Sequence, residues 1–412
     1  MRLLFLLPAN AISGGVFVVF EHARRLQARG HEVTLAFADI ASNKNISIYP
    51  GMEDVETVYL TEIAQERVFD IALATWWETA YLIHKVTAKH YGYFVQARES
   101  YFYSQESIFP LLVQHSYNAG FHVLTISRSL SKYLSSWLGY EPAVIPNAVE
   151  SEVFASSVPI LPPASGFRRV LVEGVPRSHV KRTELALEVL EHFPELEVVL
   201  LSQCDKPDGK YSVSHTFEAI PYSHVPPIYR SCDFILKLSR EESFARPVLE
   251  MFAAGGTAVV AEFAGHEEYI LHDHNALTVP VNDKDAAIKA VARLIGEPGL
   301  MARLSREASA TARTRCLGQS NDLLADELDQ IFASEITKHR PLEELWSSFT
   351  AAGGIRQYES TLEKMQNQCE SLVAENTSLR NTIEKITCSY SYQLGNKIAK
   401  PLRHVRKLLN LY

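Results

Sequence analysis

Along the first 340 or so residues, short unbroken apolar runs alternate with longer stretches in which apolar positions recur every three to four residues. The first run, residues 2–7, is of the length and composition expected of a strand buried on both faces of a parallel sheet. A helical pattern follows from Val16 to Arg29 and stops at Gly30, and His31–Ala38 is the next strand, closing one βαβ unit. The same rhythm predicts strands at 70–75, 93–96, 122–127 and 143–147, with a helix opening at Trp76–Glu78 and another capped by Ser127 and running to about Leu138. Residues 156–166, rich in Pro and Ser, interrupt it as a linker. A second series then predicts strands at 169–173, 197–201, 233–238, 258–261 and 276–280. Helices are expected at 183–192, about 225–231, from Pro247 to Ala254, from Gly265, and across 284–337. Two α/β series of this kind predict two Rossmann-like domains, 1–155 and 167–340, facing a cleft.

After Ala351–Gly354 the period changes. Ile355, Tyr358, Leu362, Met365, Cys369, Leu372, Asn376, Leu379, Ile383 and Ile386 are spaced alternately three and four apart. That seam predicts a coiled coil over 355–388, with Asn376 at a position that favours two parallel strands and hence a homodimer. A helix packed on its own domain would show a broader stripe. Residues 393–412 then form a basic amphipathic tail, with Leu402, Val405, Leu408 and Leu409 among cations. This suits either an anionic membrane surface, through 397–412, or a protein partner.

Charge sharpens that contrast. The total is −8, but residues 393–412 hold five cations and no acid, leaving −13 for the rest, which argues against a nucleic-acid partner. The cysteines (204, 232, 316, 369 and 388) are odd in number and without metal-ligand spacing, as expected of reduced thiols in a cytoplasmic chain. The apolar start is too short for a signal peptide, and no run reaches the roughly 18 residues of a membrane span.

Candidate chemistry gathers at the strand–loop–helix unit Asp233 to Ala254. The stretch Glu242-Ser-Phe-Ala-Arg-Pro-Val-Leu-Glu250 places Glu242 in the loop, and Glu250 about one turn into a helix whose first residue is expected to be Pro247. Loop amides and a positive helix end make an anion site there, bracketed by two carboxylates. An acidic turn that merely complements the helix dipole is the alternative. Gly14-Gly15, after the first strand, would let backbone approach a ligand closely. Asp39 stands where a dinucleotide-binding acid would fall, but without the G-x-G-x-x-G pattern. Arg177 and Lys181 follow the 169–173 strand and could meet a diphosphate, or serve as surface helix charges. The loop Ala97–Tyr103 sits at a strand's C-terminal end, where open α/β sheets bind ligands, although Trp76, Trp77 and Tyr103 equally suit loop packing.

The E-x7-E stretch with Ser239 ahead of it, Gly256-Thr-Ala-Val-Val-Ala261 and Gly265-His-Glu-Glu-Tyr-Ile270 behind, and Gly14-Gly-Val together resemble the donor site of retaining glycosyltransferases with the GT-B fold. This is glycosyltransferase family four, the glycosyl transferases group 1, and the resemblance covers roughly residues 1–340. Tyr93–Tyr103 resembles the rhamnosyltransferase-like branch, with Ala97 and Arg98 in place of an Asp-Tyr pair. The tail is similar to those of other bacterial glycan-assembly transferases. The resemblance implies transfer of a sugar from a nucleotide-diphosphate donor to a glycan or lipid-linked acceptor with retention, in polysaccharide or O-antigen-type assembly. It implies that Glu242 contacts the sugar and Glu250 holds the ribose. Gly14, Gly15 and the amides of Ser243 and Phe244 would meet the diphosphate with Lys181 and Arg177, while Ile220 lies beside the base through its backbone. Glu99 and Tyr101 are acceptor-side candidates. These cations and amides can do the work of a metal, so no metal or other cofactor is expected. A nucleotide-sugar epimerase on the same fold and a non-catalytic assembly scaffold are the alternatives.

Overall fold

The computed structural model describes residues 1–10, 14–39, 52, 54–163, 168–203 and 209–334. Ser13, part of the 156–166 linker, Cys204, the seam at 355–388 with Cys369 and Cys388, and the tail at 393–412 lie outside the described residues.

The described strands form two parallel sheets within one compact unit. In the first, β1 (Arg2–Leu7), β2 (Glu32–Phe37), β3 (Glu56–Tyr59), β4 (Val68–Ala74), β5 (Thr87–Val95), β6 (His122–Thr125) and β7 (Ala143–Val144) lie in the order β3-β2-β1-β4-β5-β6-β7. The second comprises β8 (Arg168–Glu173), β9 (Leu196–Ser202), β10 (His215–Glu218), β11 (Phe234–Lys237), β12 (Thr257–Ala261) and β13 (Leu277–Val279), ordered β10-β9-β8-β11-β12-β13. Central strands are sealed on both faces: Leu3 to Leu7 and Phe234 to Leu236 are wholly buried. Their unbroken apolar runs follow from that burial. The edge strands β3 and β10 have polar, half-exposed patterns that carry no such signal, and they were not expected.

The helix Gly14–Ala28 begins two residues before the expected start and ends as anticipated, Gly30 taking a left-handed φ of +88°. Ser127 Oγ accepts from Leu130 N at 3.2 Å, capping the helix Arg128–Leu138. Two expectations are corrected. Only Ala143–Val144 of 143–147 pairs as strand, and Gly265 opens a single 3-10 turn, His266–Glu268, rather than a helix. The second has a clear cause. A Cβ on Gly265 would stand 2.4 Å from the Ser129 side chain, and Glu268 accepts from Ser129 N at 2.8 Å. The turn is thus committed to the helix start of the other half.

The last helix, Leu317–Ala333, returns to the first half. His22 Nδ1 lies 2.6 Å from Asn321 Oδ1, and burial lowers the His22 pKa to about 4, so this contact is made by a neutral imidazole. Val149 N also donates to Arg315 O at 3.3 Å, so two chain crossings tie the halves together.

Candidate active site

β11 ends at Lys237, the chain loops through Ser239–Ala245, and the helix Arg246–Ala253 begins. Ala245 turns the corner at a left-handed φ of +55°, its carbonyl held by the Tyr269 hydroxyl at 2.7 Å. Arg246 precedes Pro247 in the helix, so the start lies one residue earlier than expected, and Pro247 still occupies the first turn, where its missing N–H costs no hydrogen bond.

Glu242 and Glu250 do not form an acidic first turn. Glu242 is buried in the loop, accepting Lys181 Nζ on both oxygens at 2.9 and 2.8 Å and Ser239 Oγ at 2.9 Å. Burial alone would raise its pKa, but Lys181, Lys237 and the Ser239 hydroxyl hold it down to about 2. It faces a cavity of about 480 Å³ that is also lined by Gly14, Gly15, Lys181, Ser243 and Phe244. Glu250, equally buried, faces a smaller adjoining cavity with Ile220, Tyr222, Tyr229 and Phe17. Burial raises its pKa to about 7 against the pull of Arg246 and the Tyr229 hydroxyl. The loop lines the large cavity, and the helix start, Arg246–Pro247, lines both and joins them.

Lys181 reaches the cleft through a constrained turn. Gly174 sits at φ +140°, and a Cβ there would lie 2.6 Å from Thr183 Oγ1 and 3.4 Å from Lys181 Cβ. The turn that aims Lys181 inward sends Arg177 outward. Ser178 N donates to Val175 O at 3.1 Å, and Arg177 is exposed, lining neither cavity. It is not brought together with Lys181 at the cavity lining.

On the facing half Tyr101 lines the large cavity, 40% exposed, beside Trp76, Arg98 and Phe102. Glu99 does not. It is fully buried, accepting Trp77 N at 2.8 Å and the Tyr93 hydroxyl at 2.6 Å, and burial raises its pKa to about 8. Its role is to anchor the aromatic loop from beneath, so its acceptor-side assignment is corrected too.

Further charged and aromatic side chains surround the site. Arg246 donates to Glu21 from both terminal nitrogens at 2.9 and 3.1 Å, and from Nε to Glu250 at 3.0 Å. Its guanidinium carbon lies 4.5 Å from the Phe17 ring centroid, and Phe17 stacks on Tyr222 at 3.7 Å. Arg98 meets Glu241 across the cleft at 3.3 Å. Lys237 pairs with Glu173, which lines both cavities. A lone cation ending the apolar run Phe234–Leu236 was the available signal for Lys237, because lysine is seldom fully buried without a partner. Among the described residues no three His, Cys, Asp or Glu side chains gather to hold a metal, and no helix is long and apolar enough to cross a membrane.

Among curated proteins none matches the chain by sequence. Solved structures match it closely in fold. Sucrose-phosphate synthase from Thermosynechococcus elongatus has a TM-score of 0.65 at 15% identity, covering 81% of this chain and 100% of that one. HepE from Anabaena, in complex with UDP, has a TM-score of 0.63 at 15% identity, covering 80% and 100%. A glycosyltransferase from Rickettsia africae has a TM-score of 0.61 at 15% identity, covering 81% and 99%. Residues 178–311, which hold Lys181, Glu242 and Glu250, match the family described as Glycosyl transferases group 1. The chain has the GT-B fold.

Proposed function

We propose that the protein is a glycosyltransferase that moves a sugar from a nucleoside diphosphate donor to a glycan or lipid-linked acceptor. The observation that carries this is the division of labour along one loop and helix. Ionised Glu242 faces the large cavity and Glu250 the adjoining small one, with the Ser243–Pro247 segment between them. A donor laid along that segment puts its ribose at Glu250, its diphosphate at the loop amides, Gly14-Gly15 and Lys181, and its anomeric carbon near Glu242. The UDP, UDP with glucose and UDP-glucose complexes of HepE, a protein of the same fold, support a nucleotide-sugar donor.

In the proposed step the bond between C1 and the phosphate oxygen breaks with its electron pair passing to the phosphate. Lys181 and the amides neutralise that charge. Glu242 stabilises the positive charge building at C1, and the acceptor oxygen bonds to C1 on the departing face, passing its proton to the phosphate. Configuration is thereby retained without a protein base. The ammonium and amide groups do the work that a metal would otherwise do, so we propose metal-independent transfer. Half-buried Trp76 and exposed Tyr101 and Phe102 offer apolar faces to acceptor sugar rings. Polysaccharide or O-antigen-type assembly, a rhamnosyltransferase-like specificity, dimerisation through 355–388, contact of 397–412 with an anionic membrane and a cytoplasmic location complete the proposal.

The test is thermal shift with saturating UDP, GDP, dTDP and ADP on wild type and Glu250→Ala. A nucleotide at a hundredfold excess over its dissociation constant adds about 2.7 kcal/mol. One nucleotide should raise the midpoint of wild type alone. No response to any of the four overturns the donor-site assignment.

A further inference from the structure

We propose that Lys237 is a positioning residue that holds Glu242 and Glu173 in place at the leaving-group end of the cleft. The inference rests on the donor-site reading above. Lys237 is the last residue of β11 and 1% exposed. Its ammonium donates to Glu173 Oε2 at 2.5 Å and to the Glu173 carbonyl at 3.0 Å, and lies 3.5 Å from Glu242 Oε1. Glu242 takes Lys181 on its other side, so four charged groups alternate as Glu173, Lys237, Glu242 and Lys181 from the sheet to the cleft.

Burying an ammonium costs several kcal/mol, and apolar replacement of buried ion pairs is often neutral or stabilising. Stability alone therefore does not account for a lysine at the end of an apolar strand. What the lysine does supply is a fixed positive charge between two carboxylates that both line the large cavity. Lys181, with a third of its side chain exposed, is the amine able to turn toward a departing diphosphate. When it does, Glu242 keeps only Lys237 and Ser239 as partners. Lys237 then maintains Glu242 as the anion and shields it from the charge of Glu173, whose repulsion would disfavour ionisation. Lys237 lines neither cavity, so it acts on the reaction through Glu242.

The experiment compares wild type, Lys237→Met, Lys237→Arg and the double variant Glu173→Gln/Lys237→Met. The double variant removes both members of the buried pair and guards against misfolding. Nucleoside diphosphate affinity is measured by calorimetry with the four nucleotides. Turnover is measured as release of the nucleoside diphosphate from UDP-glucose, GDP-mannose, dTDP-rhamnose and ADP-glucose across pH. Positioning predicts nucleotide affinity close to wild type with kcat lower by about 10–100-fold, the loss seen for the analogous partners that orient metal-ligating side chains. The acid limb of kcat should move to higher pH in both Met variants, and Lys237→Arg should restore part of the rate. Wild-type kcat and an unmoved acid limb in the double variant would show that Lys237 serves only to neutralise Glu173, and would overturn the proposal. Failure of wild type to bind any of the four nucleotides is a different result, sinking the donor-site reading and this inference with it.

Discussion

Glu250 is needed in a form that the folded protein disfavours. Its ordinary pKa of 4.5 is raised to about 7, mainly by burial, with the charges of Glu173 and Glu21 adding to it. Below 4.5 the group is protonated whether folded or unfolded and costs nothing. As pH rises the unfolded chain ionises first, so stability is lost progressively until the folded group ionises near 7. At about 1.4 kcal/mol per pKa unit, the loss is on the order of 3 kcal/mol above that point. We expect Glu250→Gln to unfold at higher denaturant than wild type above pH 7, with the advantage shrinking toward 4.5, while its nucleotide response is lost. Equal pH dependence in the two proteins would show that the pairing with Arg246 offsets burial and leaves the Glu250 pKa near its ordinary value. Glu242 is the opposite case, buried but kept anionic by two lysines, and that contrast between two carboxylates eight residues apart is visible only in the folded chain.

At the scale of the element, the turn from β8 into the helix Thr183–Leu190 decides which cation enters the cleft. Gly174 occupies a φ that side chains rarely adopt, and an added Cβ would overlap Thr183 Oγ1. Gly174→Ala should therefore cost about 1–3 kcal/mol in backbone strain, with the clash in addition. It should also pull Lys181 away from Glu242, seen as weakened nucleotide binding in a protein that still folds. Unchanged stability and affinity would mean that the turn relaxes without moving Lys181. Strand, turn and helix were all legible here, since Arg169–Glu173 is an apolar run and Thr183 begins a helical period. The direction of Arg177 was not, because one residue of turn length reverses which side chain points inward.

At the scale of the molecule, Arg246 joins the two halves. It pairs through both terminal nitrogens with Glu21 of the first half while holding Glu250 of the second, all three buried. Removing one partner of a buried pair strands a charge and typically costs 3–5 kcal/mol, whereas removing both costs less. Arg246→Met should thus destabilise strongly, and Glu21→Leu/Arg246→Met should recover much of the loss, with a coupling of about 1–3 kcal/mol in a double-mutant cycle. Small-angle scattering should show a wider cleft in the single variant. A coupling near zero would mean that the halves are held by their other contacts, such as the returning helix Leu317–Ala333, Ser129–Glu268 and Arg98–Glu241.

The chain's pattern determined by itself whatever depends on periodicity and local backbone preference. Unbroken apolar runs must be strands sealed on both faces, Gly30 and Ser127 must stop and start helices, and the E-x7-E spacing must place Glu242 in a loop and Glu250 within the following helix. The edge strands β3 and β10 escaped because half-exposed polar residues carry no burial signal. The tertiary structure alone decided which charges meet. Glu21 and Arg246 are 225 positions apart, Lys181 and Glu242 are 61, and Glu173 and Lys237 are 64, and nothing local couples such distant side chains. Their encounters follow from strand order, since β8 and β11 are neighbours only because the chain, having run outward through β9 and β10, crosses back to the other side of β8. The same long-range packing buried Glu99, turned Arg177 outward and brought Lys237 to the site.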